Sequence, residues 1–443
     1  MHLMLKGALW IGIYTHVILL PLLVGVLWPG PGADRPFPVQ FGAALGYAGL
    51  TVMLLELALV SKIKWIASAF GQDALLQFHR LMGLFGLALI GAHLGLELGA
   101  GYPAAWLNPF AEDSPWAMRW GVWATAMFLL LTVLSLGRRA LRVSYEWWQV
   151  THGALADLAL AATFVHVLLF GGFAASTPVR ILLLSYAGAA VILRSWFRFV
   201  RPLLSWSHPW SLVENIDEQG DTRTLVLRPA GHAGFTFEPG QFAWLSTGAT
   251  PFHPDRHPIS MSSAAHDEPG HDVAFTIKNL GDWSGAAVPA LQAGQRVWVD
   301  GPYGVFSPDR EQGFGYALIA GGAGIGPLVS MCATFELRGD ARPVVLFYAG
   351  RNERSLPLRR VIDDLSGRIN LKVVYVVEDP PPGWTGEAGR VNTALLRKHL
   401  PPQYRRFQYF ICGPEPMMDS VESALVGLGV PFERIHTERF VNI

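Results

Sequence analysis

Two stretches of equal length, HRLMGLFGLALIGAH at residues 79–93 and HGALADLALAATFVH at 152–166, each begin and end on histidine and are otherwise built mostly from apolar and small residues. On an α-helix, a separation of 14 residues is about 21 Å of rise and about 1400° of rotation, about 40° short of closing on the same face. Each stretch therefore predicts a helix with two imidazoles on one side, one near each end. Both lie inside apolar runs long enough to cross about 30 Å of hydrocarbon. Six such runs fall in the first 204 residues, near 7–28, 41–61, 74–98, 117–136, 146–171 and 179–199. The whole chain of 443 residues is 51% hydrophobic, which excludes disorder, collagen and a disulfide scaffold.

Charge divides the chain. Residues 1–204 carry 13 Lys and Arg against 8 Asp and Glu, and residues 205–443 carry 21 against 26, so a net charge of zero conceals halves of opposite sign. Nothing in that balance points to nucleic acid. Lys6, then Lys62, Lys64 and Arg80, then Arg138, Arg139 and Arg142, then Arg194, Arg198 and Arg201 gather at alternate ends of the spans, while the intervening ends hold Arg35, Arg119 and Arg180. The excess of basic residues marks the cytoplasmic side, so both termini are expected there, in the inner (cell) membrane of a bacterium. The first run is long and lacks a small-residue cleavage site before Pro29, so it reads as a retained span. The two cysteines, Cys332 and Cys412, are too few for a disulfide framework and imply a reducing compartment for the second half.

The third and fifth spans run in the same direction, so His79 is expected to face His152 near the cytoplasm and His93 to face His166 near the outer side. Two bis-histidine sites stacked across the bilayer suit low-spin haem b, whose iron needs two axial ligands. Zinc or copper would want further ligands, and no Cys or carboxylate is expected at matching depth. A lone membrane histidine is as readily a hydrogen-bonded packing residue, but two pairs with the same spacing favour ligation. His16 has no partner at that spacing. Glu56 and Asp157 read as hydrogen-bonded packing or cavity-lining groups rather than proton carriers.

After Pro202 the texture changes to short β-rich segments, Thr224–Leu227, Phe242–Leu245, Val273–Ile277 and Val297–Val299, which suit a small antiparallel barrel. From about 315 the order becomes strand, Gly-rich turn, helix, strand, with Tyr316–Ala320, Val344–Tyr348, Lys372–Val376 and Gln408–Ile411 as buried parallel strands. The expected fold is multidomain: a six-helix transmembrane bundle (1–204), an antiparallel β-barrel (205–310) and an α/β parallel-sheet domain (311–443).

Along the barrel segment the sequence reads Pro239-Gly240-Gln241-Phe242, then Arg256-His257-Pro258-Ile259-Ser260-Met261, then Ile277-Lys278-Asn279-Leu280-Gly281-Asp282-Trp283-Ser284. At these residues the chain resembles the ferredoxin-reductase superfamily, and more closely its membrane branch, the ferric reductases and NADPH oxidases. That family's flavin site has a His-Pro-Phe-Ser/Thr strand and a Gly-Asp-Trp-Thr turn, from which Ile259 and Ser284 depart mildly. The resemblance implies that Gln241, Arg256, His257, Pro258, Ile259 and Ser260 form the FAD site. Within it Ser260 would meet the isoalloxazine and His257 and Arg256 the phosphate side. Lys278 with Gly281, Asp282, Trp283 and Ser284 would hold the pyrophosphate, as cations and backbone N–H groups suit an anion.

Further on, Gly321-Gly322-Ala323-Gly324-Ile325-Gly326-Pro327 is a glycine turn between a strand and a helix, the pattern that lets backbone approach a pyrophosphate at a helix N-terminus. Cys412-Gly413-Pro414 resembles the family's motif beside the nicotinamide, with a positioning role for Cys412 rather than a nucleophilic one. Arg351 and Arg354 sit where the superfamily often meets a 2′-phosphate, which favours NADPH over NADH, although a solvated arginine pair would look the same. Phe440 resembles the C-terminal aromatic that covers the flavin, with Val441-Asn442-Ile443 following it. Ser260, Cys412 and Phe440 are the residues the resemblance places at the reacting rings.

The family resemblance implies a transmembrane flavocytochrome b. Cytosolic NAD(P)H would reduce FAD, which splits a two-electron donor into one-electron steps. Electrons would pass through haems at His79/His152 and His93/His166 to an outer acceptor, with molecular oxygen as the first expectation. A ferric chelate or a dedicated periplasmic redox protein is the second, and a haem-binding membrane sensor or anchor the reading of another class. Membrane lipid is the expected surrounding.

Overall fold

The computed structural model of the chain describes residues 2–30, 35–61, 63, 66, 70–138, 140–253 and 255–439. The sequence readings that rest on Lys62, Lys64, Arg139 and Phe440 lie outside these residues. Contacts divide the chain into two compact units, Met1–Arg201 and Pro202–Asn442.

The first unit holds six helices long and apolar enough to cross a membrane: α1 (His2–Leu27), α2 (Phe37–Val60), α3 (Gln72–Gly99), α4 (Trp116–Gly137), α5 (Tyr145–Phe170) and α6 (Thr177–Ser195). Proline in the first turn of α2 and of α6 removes an N–H that has no helical partner there. The sixth helix does not stop near 199 as the hydropathy suggests. It passes through a π-helical turn at Trp196–Val200, where the Arg201 N–H bonds the Trp196 carbonyl, and continues over Arg201–Trp206.

Helices α2 and α3 pack along their length as one antiparallel hairpin and α4 and α5 as another, while contact between the hairpins is sparse. The buried core of this unit is Tyr47, Leu50, Met53 and Leu54 of α2 against Phe128, Leu160, Val179 and Leu183. Leu5, Leu9, Leu19, Leu23 and Val26 of α1 stay exposed, as a lipid-facing surface requires. Tyr47 accepts a hydrogen bond from the Ala174 N–H at 3.0 Å, and Tyr186 donates to the Val17 carbonyl at 3.0 Å, so helix ties are made at the few polar side chains available.

In the second unit, six antiparallel strands lie in the order β4 (His257–Ser260), β3 (Phe242–Ser246), β6 (Arg296–Tyr303), β1 (Trp210–Glu218), β2 (Thr222–Pro229), β5 (Val273–Lys278). An antiparallel bridge from Met261 to Phe275 joins the two outer strands, so the sheet closes on itself and loses its edges. Leu212, Leu225, Leu227, Leu245, Phe275 and Val297 fill the interior.

The second sheet is parallel, in the order β10 (Glu387–Ala388), β9 (Leu371–Val377), β8 (Val344–Gly350), β7 (Tyr316–Gly321), β11 (Gln408–Cys412), β12 (Ile435–Glu438). Strand β7 is buried throughout, and alternate residues feed cores on both faces. Leu318 and Ala320 pack with Leu328 of α7 (Ile325–Leu337) and Ile362 of α8 (Arg359–Ser366). Ala317 and Ile319 pack with Leu396 of α9 (Thr393–His399) and Val421 of α10 (Glu415–Gly427). The chain leaves β7 toward one edge and returns through β11 toward the other. Between these two central strands lies the switch point where open α/β sheets bind ligands.

Candidate functional site

The four membrane histidines come together in two pairs. His79 of α3 and His152 of α5 have ring centroids 6.2 Å apart, and His93 and His166 of the same helices 6.5 Å apart. Two imidazoles sharing one metal at about 2.0 Å per nitrogen place their centroids about 6 Å apart, so both pairs have the separation of axial ligands.

Three of the four rings are hydrogen-bonded at Nδ1 by the partner helix of the same hairpin, and the fourth has a carboxylate of that helix against it. His93 Nδ1 donates to the Gly42 carbonyl at 2.9 Å and His166 Nδ1 to the Ala117 carbonyl at 2.7 Å. His152 Nδ1 lies 3.0 Å from Ser135 Oγ, whose own proton goes to the Leu131 carbonyl at 2.8 Å and which also accepts from Trp148 Nε1 at 3.3 Å. Ser135 therefore accepts from His152. His79 Nδ1 stands against the carboxylate of Glu56. Engaging Nδ1 fixes the tautomer and leaves Nε2 for a metal, the usual arrangement around a ligating histidine.

The close approach of the hairpin helices depends on glycine. A Cβ at Gly121 would stand 2.8 Å from His166 Nδ1, and one at Gly46 3.1 Å from His93 Nδ1. Gly42 and Glu56 on α2 are 14 residues apart, as His79 and His93 are on α3. Among the described residues no group of three or more His, Cys, Asp or Glu side chains is gathered as a metal cluster. Two facing imidazoles per site fit the bis-histidine ligation of a haem and are too few for a zinc site.

One expectation is corrected here. A carboxylate does lie at the depth of His79: Glu56, 6% exposed, reaches it across the hairpin. The pairing was hidden because matching depths needs the register of α2 against α3. Asp157, by contrast, is held by Arg194 at 2.9 and 3.0 Å. His16 bonds its own helix through the Gly12 carbonyl at 2.7 Å.

In the second unit the glycine turn after β7 and the Cys412-Gly413-Pro414 turn after β11 lie side by side at the switch point. A Cβ on Gly324 would stand 2.1 Å from the Cys412 carbonyl oxygen, and one on Gly321 would meet Pro414 and Met417 at 2.8 and 2.7 Å. Gly322 has φ +54°, and its nearest neighbour on that side is Lys278 Nζ, 3.8 Å from where a Cβ would be. Lys278 at the end of β5 is thus brought to the glycine turn, with Gly326 and Pro327 behind it in the first turn of α7.

On the barrel side Ser260 Oγ is buried without a hydrogen-bond partner. The His257 ring stacks on Trp283 with centroids 4.0 Å apart. Ser284 Oγ accepts from the N–H groups of Leu280 and Gly281 at 2.8 and 3.1 Å and shapes the turn that includes Asp282. Arg256 donates to the Pro251 carbonyl, and Pro258 and Ile259 run opposite Trp244 and Ala243 in the β3–β4 ladder. Gln241 is engaged elsewhere, donating to the Gly304 carbonyl at 3.0 Å and accepting from the Glu238 N–H at 2.9 Å. A buried hydroxyl without a partner, the cations Arg256 and Lys278 and the N–H groups of the 281–284 turn are donors that suit a flavin nucleotide, and the glycine cradle suits a second nucleotide beside it.

Cys412 is fully buried, and burial with the neighbouring Glu438 carboxylate holds its thiol well above the usual range. Burial pushes Cys332 up to about 12. Neither thiol supplies a thiolate nucleophile near neutral pH. Arg351 and Arg354 are exposed beyond β8, and Arg351 lies 3.5 Å from Asp379.

Residues 45–163 match the ferric reductase like transmembrane component, and residues 318–423 match the oxidoreductase NAD-binding domain. The reductase subunit of stachydrine N-demethylase from Rhizobium meliloti is 32% identical over 54% of this chain and 69% of its own length. The chain thus joins a ferric reductase-like transmembrane domain to an FAD and NAD(P)-binding reductase module, the architecture of the ferric reductases and NADPH oxidases. This ferric reductase-like protein is an integral-membrane oxidoreductase that carries an FAD and NAD(P)H-dependent electron-transfer module. The reductase component of propane 2-monooxygenase from Rhodococcus jostii is 30% identical over 50% of the chain, and the chain spans only 60% of that relative. A solved structure of the cytochrome P450 reductase from Amycolatopsis is 26% identical, with a TM-score of 0.46, over 53% of this chain and 69% of that one.

Proposed function

We propose that this protein carries electrons from NAD(P)H across a membrane to a separate redox partner or a ferric chelate on the far side. The observation that carries the reading is the pair of bis-histidine layers, each ring locked at Nδ1, in the same chain as a flavin and nicotinamide module. The related proteins, by name a reductase subunit of a demethylase and a reductase component of a monooxygenase, favour a partner over oxygen as the acceptor.

In this reading 1–204 is the haem domain, 205–310 the FAD domain and 311–443 the NAD(P) domain, with the last two cytoplasmic. His79 and His152 would hold one haem b, and His93 and His166 the other. Lys278, Arg256 and the 281–284 turn would neutralise the FAD phosphates, and Ser260 would donate its hydroxyl to the flavin ring. The glycine turn with Gly413 and Pro414 would seat the nicotinamide nucleotide, Cys412 would set its depth as an uncharged thiol, and Arg351 and Arg354 would recognise a 2′-phosphate. Bound flavin supplies the exchange between two-electron and one-electron steps, so the protein needs no nucleophile or general base.

The test uses sealed, right-side-out vesicles loaded with NADPH. Ferric citrate added outside should be reduced several-fold faster than superoxide appears. If superoxide accounted for all the NADPH consumed, oxygen would be the acceptor. If the purified protein bound haem that NADPH did not reduce, the sensor or anchor reading would hold.

A further inference from the structure

The two histidine pairs are alike in spacing but not in what holds them. At the outer pair both Nδ1 atoms donate to backbone carbonyls, Gly42 and Ala117, which are neutral acceptors. At the inner pair both face side chains: His152 a serine hydroxyl and His79 a carboxylate. Glu97 stands 3.8 Å from His93 Nδ1 and does not displace the Gly42 carbonyl. Near His152 the cation is Arg194, whose Nη2 would be 2.7 Å from a Cβ on the adjacent Gly153 and which is already paired with Asp157. A further polar group near Glu56 is the Tyr14 hydroxyl, buried and without a hydrogen-bond partner. Among the described residues Glu56 is therefore the carboxyl group in closest contact with a ring of either pair.

We propose that Glu56 is a positioning and tuning residue for the inner haem: its carboxylate takes the Nδ1–H of His79 and lowers that haem's potential below the outer one, giving electron flow its outward direction. The inference rests on the haem reading above. A ring that binds iron through Nε2 carries its proton on Nδ1, so Glu56 must be the acceptor in this contact. A carboxylate acceptor raises the basicity of the ring more than an amide carbonyl does, and a more basic ligand stabilises ferric iron over ferrous iron. No bond is made or broken. In the transfer Glu56 would bias, one electron would pass from the inner haem to the outer, and Glu56 itself would act only through the ring it faces.

The experiment is a redox titration of the purified full-length protein, read by the visible haem bands, in wild type, E56Q, E56D, H93A and H79A. Gln keeps a carbonyl acceptor but removes the charge. E56Q should raise the lower midpoint and leave the upper one in place, shifting the inner/outer electron ratio at least tenfold toward the inner haem, which for one electron is about 59 mV. E56D should restore most of the difference. If E56Q retains both haems and neither midpoint moves, the proposal fails while the haem reading stands. Should E56Q shed the inner haem, H93A decides: the haem left in it must titrate at the lower wild-type midpoint, and titration at the upper one overturns the proposal. If H79A keeps both haems at full occupancy, it is the haem reading that falls.

Discussion

At the scale of single residues, the histidine sites depend on atoms that are missing as much as on those present. Gly121 and Gly46 have no Cβ where the rings of His166 and His93 sit. A methyl at Gly121, 2.8 Å from a ring nitrogen, cannot be absorbed without moving either the ring or helix α4, because ordinary carbon contacts begin well beyond 3 Å. Gly121→Ala should therefore lower haem content from two per chain toward one, measured by pyridine haemochrome, with the loss at the outer site. Gly46→Ala, whose contact is looser, should lose less. Full haem content in Gly121→Ala would show that the ring is not held by this close approach.

At the scale of elements, strand β12 carries a titratable group that couples fold to pH. His436 lies in β12 beside Phe410 of β11, bonded to Gln408 at 3.1 Å, and burial lowers its pKa from 6.5 to about 4. Above pH 6.5 the ring is neutral whether the chain is folded or not, and stability is complete. Between 6.5 and about 4 the unfolded chain takes up a proton that the folded chain refuses, so stability falls as pH falls, by up to about 3 kcal/mol. The thermal midpoint for flavin release should drop across that window in wild type and drop less in His436→Gln. An identical slope in the variant would place the acid sensitivity elsewhere.

The same elements show what could be read beforehand. The histidine pairs were legible because 14 residues nearly close a helical face, and β7, β8, β9 and β11 because buried parallel strands are continuous apolar runs. Strand β1 gives a weak sequence signal because Glu214, Asn215 and Asp217 break up its apolar residues. The bridge from Met261 to Phe275 that closes the barrel joins segments with no local signal for each other. Ser135 carries no sequence signal beyond that of any serine bonding back to its own helix, which it also does. The Gly42 and Ala117 acceptors are main-chain atoms and carry no residue signature at all.

For the whole molecule, the proposed haem pathway makes the two histidine layers a relay with a required second station. The layers are separated by about 21 Å of helix, so removing one leaves a span too long for direct transfer at turnover rates. In His93→Ala, NADPH should still reduce the flavin and the inner haem, seen by stopped-flow absorbance, while reduction of external ferric citrate stops. A normal external rate in that variant would mean that electrons leave on the flavin side.

Helix α2 gives the spacing of those stations a physical origin. Its Gly42 carbonyl and Glu56 carboxylate seat one ring of each layer, with the same separation along α2 that the two rings have along α3. The helix thus works as a gauge with two marks. One extra residue between the marks would turn one of them by about 100° away from its ring. Either cofactor would keep its seat only at the other's expense. Length changes in α2 should accordingly be tolerated outside 42–56 and nowhere within it, which makes this stretch, with no ligand of its own, as intolerant of insertion as the helices that carry the histidines.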